Sequence, residues 1–168
     1  MVSDMNLREH IDESYRASVA GMDIPWMLGQ WAEKQPEKVC LIWRPFTGEQ
    51  QSWTYSKLFD AARRLATGLK DRGVNTGDFV FIHMDNSPEF IISWYGCAML
   101  GAVAVSTNTR SVARDLSYFE EVVEPVCALT QPKYAELIRE SCSNLGFIAV
   151  TDTDSREQPR YLSYPQAG

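Results

Sequence analysis

The sequence predicts an α/β fold, a mostly parallel sheet flanked by helices. Three observations lead there. Along the middle of the chain, short apolar runs of strand length alternate with longer segments of helical period. The connections between them are short, so successive strands joined through helices should lie parallel, with helices on both faces of the sheet. One helical segment, 87–100, carries Phe90, Ile91, Ile92, Trp94, Tyr95, Cys97, Met99 and Leu100 with almost no polar face, as expected of a helix held between layers.

The elements follow in order. A short helix begins near Ile24, with Asp23 as N-cap and Pro25 in the first turn, and stops before Gln35-Pro36; Met27, Leu28 and Trp31 are its core face. The runs 39–43 and 51–54 flank the turn-like Pro45-Phe46-Thr47-Gly48 and read as a hairpin. Leu58, Ala62, Leu65 and Leu69 then mark a helix over 55–72, capped by Thr54 and stopped at Gly73. A strand over 79–82 leads into the apolar helix, which Gly101 ends. Next come a buried strand over 102–105 and an amphipathic helix marked by Val112, Leu116, Phe119 and Val123, which ends at Pro125. The alternation closes with a strand over 126–129, a helix over 133–142 and a strand over 147–150. Residues 1–23 read as a polar leader, 24–150 as the α/β unit and 151–168 as a loosely held polar tail.

Composition limits the function. With 168 residues, 45% hydrophobic and 23% charged, the chain suits one soluble domain with one core. A net charge of -6, and basic pairs such as Arg63-Arg64 set among acids, argue against a nucleic-acid partner. Cys40, Cys97, Cys127 and Cys142 form no C-x-x-C pair and read as buried reduced thiols, neither zinc ligands nor a disulfide framework. The leader has no apolar signal region, and no stretch approaches the roughly 18 apolar residues of a membrane span, so a cytoplasmic address is expected.

The stretch GDFVFIHMDNSPEF, 77–90, runs from strand through tight loop to helix, a junction at which nucleotide-binding folds often hold phosphate. Here Asn86 as N-cap and Glu89 three residues later form the pattern of a capping box, with Pro88 in the first turn. Asp85 and Glu89 place negative charge where a phosphate would sit, which favours a structural cap over a phosphate cradle. The glycines supply no substitute: no G-x-G occurs, and GVNTGD is followed by acid rather than by Lys-Ser/Thr. His83 is a lone histidine at a strand end and reads as structural or merely exposed, and His10 lies in the leader. Residues 106–111, Ser-Thr-Asn-Thr-Arg-Ser, follow a strand directly. In open α/β sheets such loops bind ligands, and Arg110 among hydroxyls and an amide suits a phosphate or carboxylate; alternatively, Thr109 or Ser111 caps the next helix and Arg110 is solvated.

The run TYSKLFDAARRLATGLKDRGVNTGDFVFIHMDNSPEFIISWYGCAMLGAVAVSTNTR, followed by DLSYFEEVVEPVCALT, resembles the N-terminal part of the AMP-forming acyl-CoA synthetases. The likeness covers residues 24–150 and rests on T-Y-x-x-L, G-x-x-x-G-D, N-S-P-E-F and G-A-V at their observed intervals. MDNSPEFIISWYGCAMLGAV is most similar to fatty-acyl and carnitine or crotonobetaine CoA ligases. The resemblance implies the first subdomain of the large domain of an adenylate-forming ligase, which joins a small carboxylic acid to ATP with magnesium, releases pyrophosphate, and passes the acyl group from its adenylate to CoA. It also implies that the Ser/Thr/Gly-rich phosphate loop ending in Lys belongs to a remainder of the ligase; nothing over 150–168 resembles that loop. The chain alone is therefore expected to be inactive, to need no cofactor, and to contain neither catalytic nor metal-binding residues. By the same resemblance Asn108, Thr109 and Arg110 match a loop near the CoA nucleotide, with Arg110 pairing a CoA phosphate. Ser106 stands where the family commonly has Pro, and Lys57 where Glu often follows T-Y.

Two rival readings remain at the level of sequence. One is a non-catalytic α/β protein-interaction module, and the other an autonomous mononucleotide binder of flavodoxin type. A sheet taken from a larger fold should also leave apolar surface, with Trp26, Trp43, Trp53 and Trp94 as its candidates and self-association as a by-product.

Overall fold

The structure, a computed structural model, describes residues 20–45, 48–152 and 154. Most of the expected leader and tail, with Phe46 and Thr47 of the hairpin turn, lie outside the described residues.

Helix α1, Ile24–Lys34, starts as expected: the Asp23 carboxylate accepts from the Trp26 amide at 2.8 Å, and Pro25 needs no partner in the first turn. Of its anticipated core face only Leu28 is buried; Met27 is 44% and Trp31 39% exposed. Trp31 instead stacks on Tyr55 at 5.8 Å, with the Lys38 ammonium 5.9 Å over its ring. Strands β1, Val39–Trp43, and β2, Gln51–Thr54, form the expected antiparallel hairpin. Trp43 and Trp53 are half-buried in it, so of the four tryptophans expected at an apolar surface, only Trp26 and Trp94 are exposed.

Helix α2, Tyr55–Asp71, takes its cap from the Thr54 hydroxyl and buries Leu58, Ala62 and Leu69. Strand β3, Phe79–His83, leads to α3, Pro88–Leu100. The cap of α3 is Ser87, not Asn86: the Ser87 hydroxyl accepts from the Phe90 amide at 3.2 Å. Pro88 decides this, because its ring excludes the helical conformation at the preceding residue, and Ser87 is accordingly extended at φ -159. Glu89 then falls one position too early to close a box. The face that α3 buries is built from small residues, Ser93, Gly96 and Cys97, and Leu65 of α2 packs into the gap at Gly96, where a Cβ would lie 2.8 Å from it. The larger side chains stay half-covered and Trp94 is exposed, so α3 is less enclosed than its composition predicts.

Gly101 ends α3 in the left-handed region at φ 77, and β4, Val103–Ser106, follows. Helix α4, Ala113–Val123, is capped neither by Thr109 nor by Ser111. Val112 occupies the cap position, and its amide donates to the Asp115 carboxylate, which reaches back from inside the helix at 3.2 Å. Strand β5, Cys127–Thr130, helix α5, Pro132–Ser141, and strand β6, Phe147–Val150, complete the chain.

The four strands of the main sheet are parallel in the order β4-β3-β5-β6. Strand alternation then builds two cores. Val80, Ile82, Cys127 and Leu129 face Leu69 and Cys97 of α2 and α3, whereas Phe81 and Ala128 face Leu116, Ile138 and Cys142 on the α4 and α5 side. The strand order also fixes a switch point. From β3 the chain steps to β4 on one side, returns across the sheet to β5 on the other, and so leaves diverging loops at the carboxyl ends of β3 and β5. Among the described residues no helix is long and apolar enough to cross a membrane.

Candidate functional site

The polar groups collect at that switch point. His83, the last residue of β3, points to the α4 and α5 side by strand alternation and is fully buried. Its Nδ1 lies 2.8 Å from the hydroxyl of Thr107, just past β4, and its ring meets Tyr134 of α5 edge-on at 4.9 Å. The Thr130 hydroxyl at the end of β5 donates to the His83 carbonyl at 2.7 Å. Among the described residues the His83 Nε2 has no hydrogen-bond partner.

Two residues on, Asp85 ties the three loops together. Its amide donates to the Gln131 side chain at 3.0 Å, and its carboxylate accepts from the Tyr134 hydroxyl at 2.9 Å and from the Lys133 ammonium. The Thr109 hydroxyl also hydrogen-bonds this carboxylate. Burial pushes the Asp85 pKa up, but the bonds from Lys133, Tyr134 and Thr109 outweigh it and hold the carboxyl below its usual range. Burial alone would lower Lys133, yet its bond to Asp85 leaves it raised, so both partners are charged at neutral pH. Tyr134 is raised, chiefly by burial, and remains a neutral donor. His83 is lowered by burial, only partly offset by the charge of Asp85, and is therefore a neutral imidazole.

Within the loop itself the exposure alternates. Thr107, Thr109 and Ser111 are half-buried, whereas Ser106, Asn108 and Arg110 are exposed. The Asn108 side-chain oxygen accepts from the Arg110 amide at 2.9 Å, and the Ser111 amide donates to the Asn108 carbonyl at 2.9 Å, which forms a compact Asx turn. Because Lys133 is matched by Asp85, the Arg110 guanidinium is the cation of this loop left without an ion pair among the described residues. Such a group suits an anionic ligand approaching from solvent. The first turn of α3 does not: its amide is taken by Ser87, and Asp85 and Glu89 repel an incoming phosphate.

The structure thus brings Thr109 of the anticipated triplet inward to Asp85 and leaves Asn108 and Arg110 facing out. Sequence reasoning considered His83, Asp85 and this loop separately and did not connect them. It missed Gln131, Lys133 and Tyr134, although the rule that drew attention to 106–111, polar residues directly after a strand, applies equally to them.

Comparison with known proteins supports the family and the fold. The family model for AMP-binding enzymes matches residues 28–164. A crotonobetaine/carnitine–CoA ligase of Escherichia coli is 28% identical over 138 residues, 80% of this chain and 27% of the relative. The N-terminal domain of FACL13 from Mycobacterium tuberculosis superposes with a TM-score of 0.69 at 29% identity, covering 78% of this chain and 34% of that one. O-succinylbenzoate coenzyme A synthetase of Bacillus subtilis, solved with ATP and magnesium, gives a TM-score of 0.65 at 28% identity over 73% of this chain and 32% of its own. The chain spans about a quarter of the length of the curated relatives it matches. A family match over most of the chain means that this protein belongs to the AMP-binding enzymes, among the adenylate-forming acyl-CoA ligases.

Proposed function

We propose that residues 24–150 are the N-terminal subdomain of an ATP-dependent, AMP-forming acyl-CoA synthetase that activates a small carboxylic acid. In the first half-reaction a carboxylate oxygen attacks the α-phosphorus of ATP, with magnesium accompanying the nucleotide, and pyrophosphate leaves. In the second the CoA thiol attacks the acyl carbon, and AMP leaves. Asn108, Thr109 and Arg110 serve the second step: Thr109 anchors the loop to Asp85, and the Arg110 guanidinium pairs with a phosphate of the incoming CoA. The observation that carries this reading is the exposed Arg110, without an ion pair among the described residues, on a loop at the carboxyl edge of the sheet in a chain of this family. The chain by itself forms no acyl-adenylate, because its sequence has no Ser/Thr/Gly-rich loop ending in Lys.

One pair of measurements tests this. In the ligase that carries this segment, Arg110→Ala should raise the KM for CoA by about 10- to 100-fold, the worth of one hydrogen bond to a charged group. Carboxylate-dependent pyrophosphate exchange should stay unchanged. An unchanged KM for CoA removes Arg110 from the site, and pyrophosphate exchange by the 168-residue chain alone overturns its inactivity.

A further inference from the structure

We propose that His83 is a positioning residue, which with Asp85 locks the loop between β4 and α4 in one conformation and so presents Arg110 to an anionic nucleotide as a fixed cation. The use of Arg110 rests on the CoA reading above; the locking of the loop does not.

The loop is held by alternate side chains. Thr107 is gripped through its hydroxyl by His83 and through its amide by the Ile82 carbonyl at 3.1 Å, and Thr109 is gripped by Asp85. The exposed residues between and after them, Asn108 and Arg110, are then fixed by the Asx turn. His83 and Asp85 sit two apart on β3 and its exit, and Thr107 and Thr109 sit two apart on the neighbouring exit, so the pairing of β3 with β4 carries on beyond the strands as two side-chain bonds. Asp85 is itself braced by Gln131, Lys133 and Tyr134 from the β5 side. The loop is thereby referred to the whole sheet and not only to its own strand.

One nitrogen of the His83 ring is engaged and the other is not. Nδ1 and the Thr107 hydroxyl share a hydrogen bond at 2.8 Å. Nε2 has no hydrogen-bond partner among the described residues, in a fully buried place. An aliphatic side chain would fill the same place with nothing left unsatisfied, so packing alone does not account for an imidazole. What the imidazole adds is the bond to Thr107.

The test uses amide hydrogen exchange on this chain. Thr107→Val keeps the side-chain shape without the hydroxyl, and His83→Leu removes the ring nitrogen without leaving a buried polar atom. Each should speed exchange of the amides at 108–111 by about tenfold, as expected for one lost hydrogen bond, and leave the amides of β5 and β6 at their original rates. Thr107→Ser, which keeps the hydroxyl, should exchange like the parent chain. The proposal is overturned if both first variants exchange at the parent rate over 108–111. It is also overturned if they speed exchange equally throughout, since His83 would then act on stability alone. Coenzyme A titrated into the ligase that carries this segment and into its Arg110→Ala variant tests the other reading separately. Equal binding in the two removes the phosphate role of Arg110, while the exchange data still decide the role of His83.

Discussion

At the scale of single residues, His83 shows what a sequence reading can and cannot reach. That it stands alone, without a nucleophile pattern, was legible; that it is buried against Thr107 and Tyr134 was not, because those partners come from strands and helices 24 and more positions away. Glu120 was missed for the same reason. It is 5% exposed, and its carboxylate accepts from the Ser143 and Asn144 amides at 3.1 and 2.7 Å, closing the turn between α5 and β6. On a helix face, one acid looks like another until the fold supplies its donors. The burial of His83 has a consequence in acid. Its pKa is lowered in the folded chain from an ordinary value of 6.5, so below that pH the unfolded chain binds the extra proton and the folded one resists it. Stability conferred by the neutral ring is therefore complete at pH 7.5 and declines as pH falls through 6.5. Asp85, whose pKa is depressed below 3.8, adds stability that is lost only below that pH, as pH falls through its folded value, so a decline that begins at pH 6.5 is not its own. Urea midpoints measured between pH 7.5 and 5.5 should fall in the parent chain and fall less in His83→Leu. Parallel slopes in the two proteins would show that the ring is already free to protonate in the fold.

At the scale of elements, periodicity and punctuation made most of the structure readable. Strand alternation, the caps Asp23 and Thr54 and the stop at Gly101 all stand where the local chemistry puts them. The two errors at helix starts share one cause. A cap is chosen by the backbone of the cap residue, and a nearby polar side chain of the right type is not enough. Pro88 forces Ser87 to be extended and so selects it over Asn86; at α4 a reaching Asp115 frees the cap position from needing a polar residue. These alternatives differ measurably. Ser87→Ala should lower unfolding free energy by about 1 kcal/mol, the usual worth of a hydroxyl cap, and Asn86→Ala, exposed and outside the cap, should change it by less than about 0.5 kcal/mol. Equal losses in urea denaturation would return Asn86 to the cap. The strand order was legible only as far as its being parallel, since no local pattern says that β5 returns past β4 to pair with β3. That return creates the switch point, so the candidate site could be read as a loop but not as a cluster.

At the scale of the whole molecule, the central question is whether the two cores on opposite faces of one sheet open together. β3 and β5 contribute to both: Val80 and Leu129 to one, Phe81 and Ala128 to the other. A strand cannot leave one core without leaving the other, which argues for a single cooperative unit. The cysteines report on this directly. Cys97 and Cys127 lie in the core beneath α2 and α3, with burial, first of all, pushing their thiols up to about 11 and about 12. Cys142 lies in the opposite core, and burial raises it to about 11. Cys40 is half-buried in the hairpin, with its thiol 3.4 Å from the Trp53 carbonyl and a pKa raised mainly by burial. Because the thiolate is the reactive form, an aromatic disulfide reagent at pH 8 should modify Cys40 first. The other three should wait for global unfolding and then react at one common rate, which should rise with urea in step with the equilibrium unfolding transition. Early reaction at Cys142, with Cys97 and Cys127 still protected, would mean that α4 and α5 peel from the sheet on their own. The loop bearing Arg110 leads into α4, so it would then be anchored to a mobile element, and His83 and Asp85 alone could not hold it still.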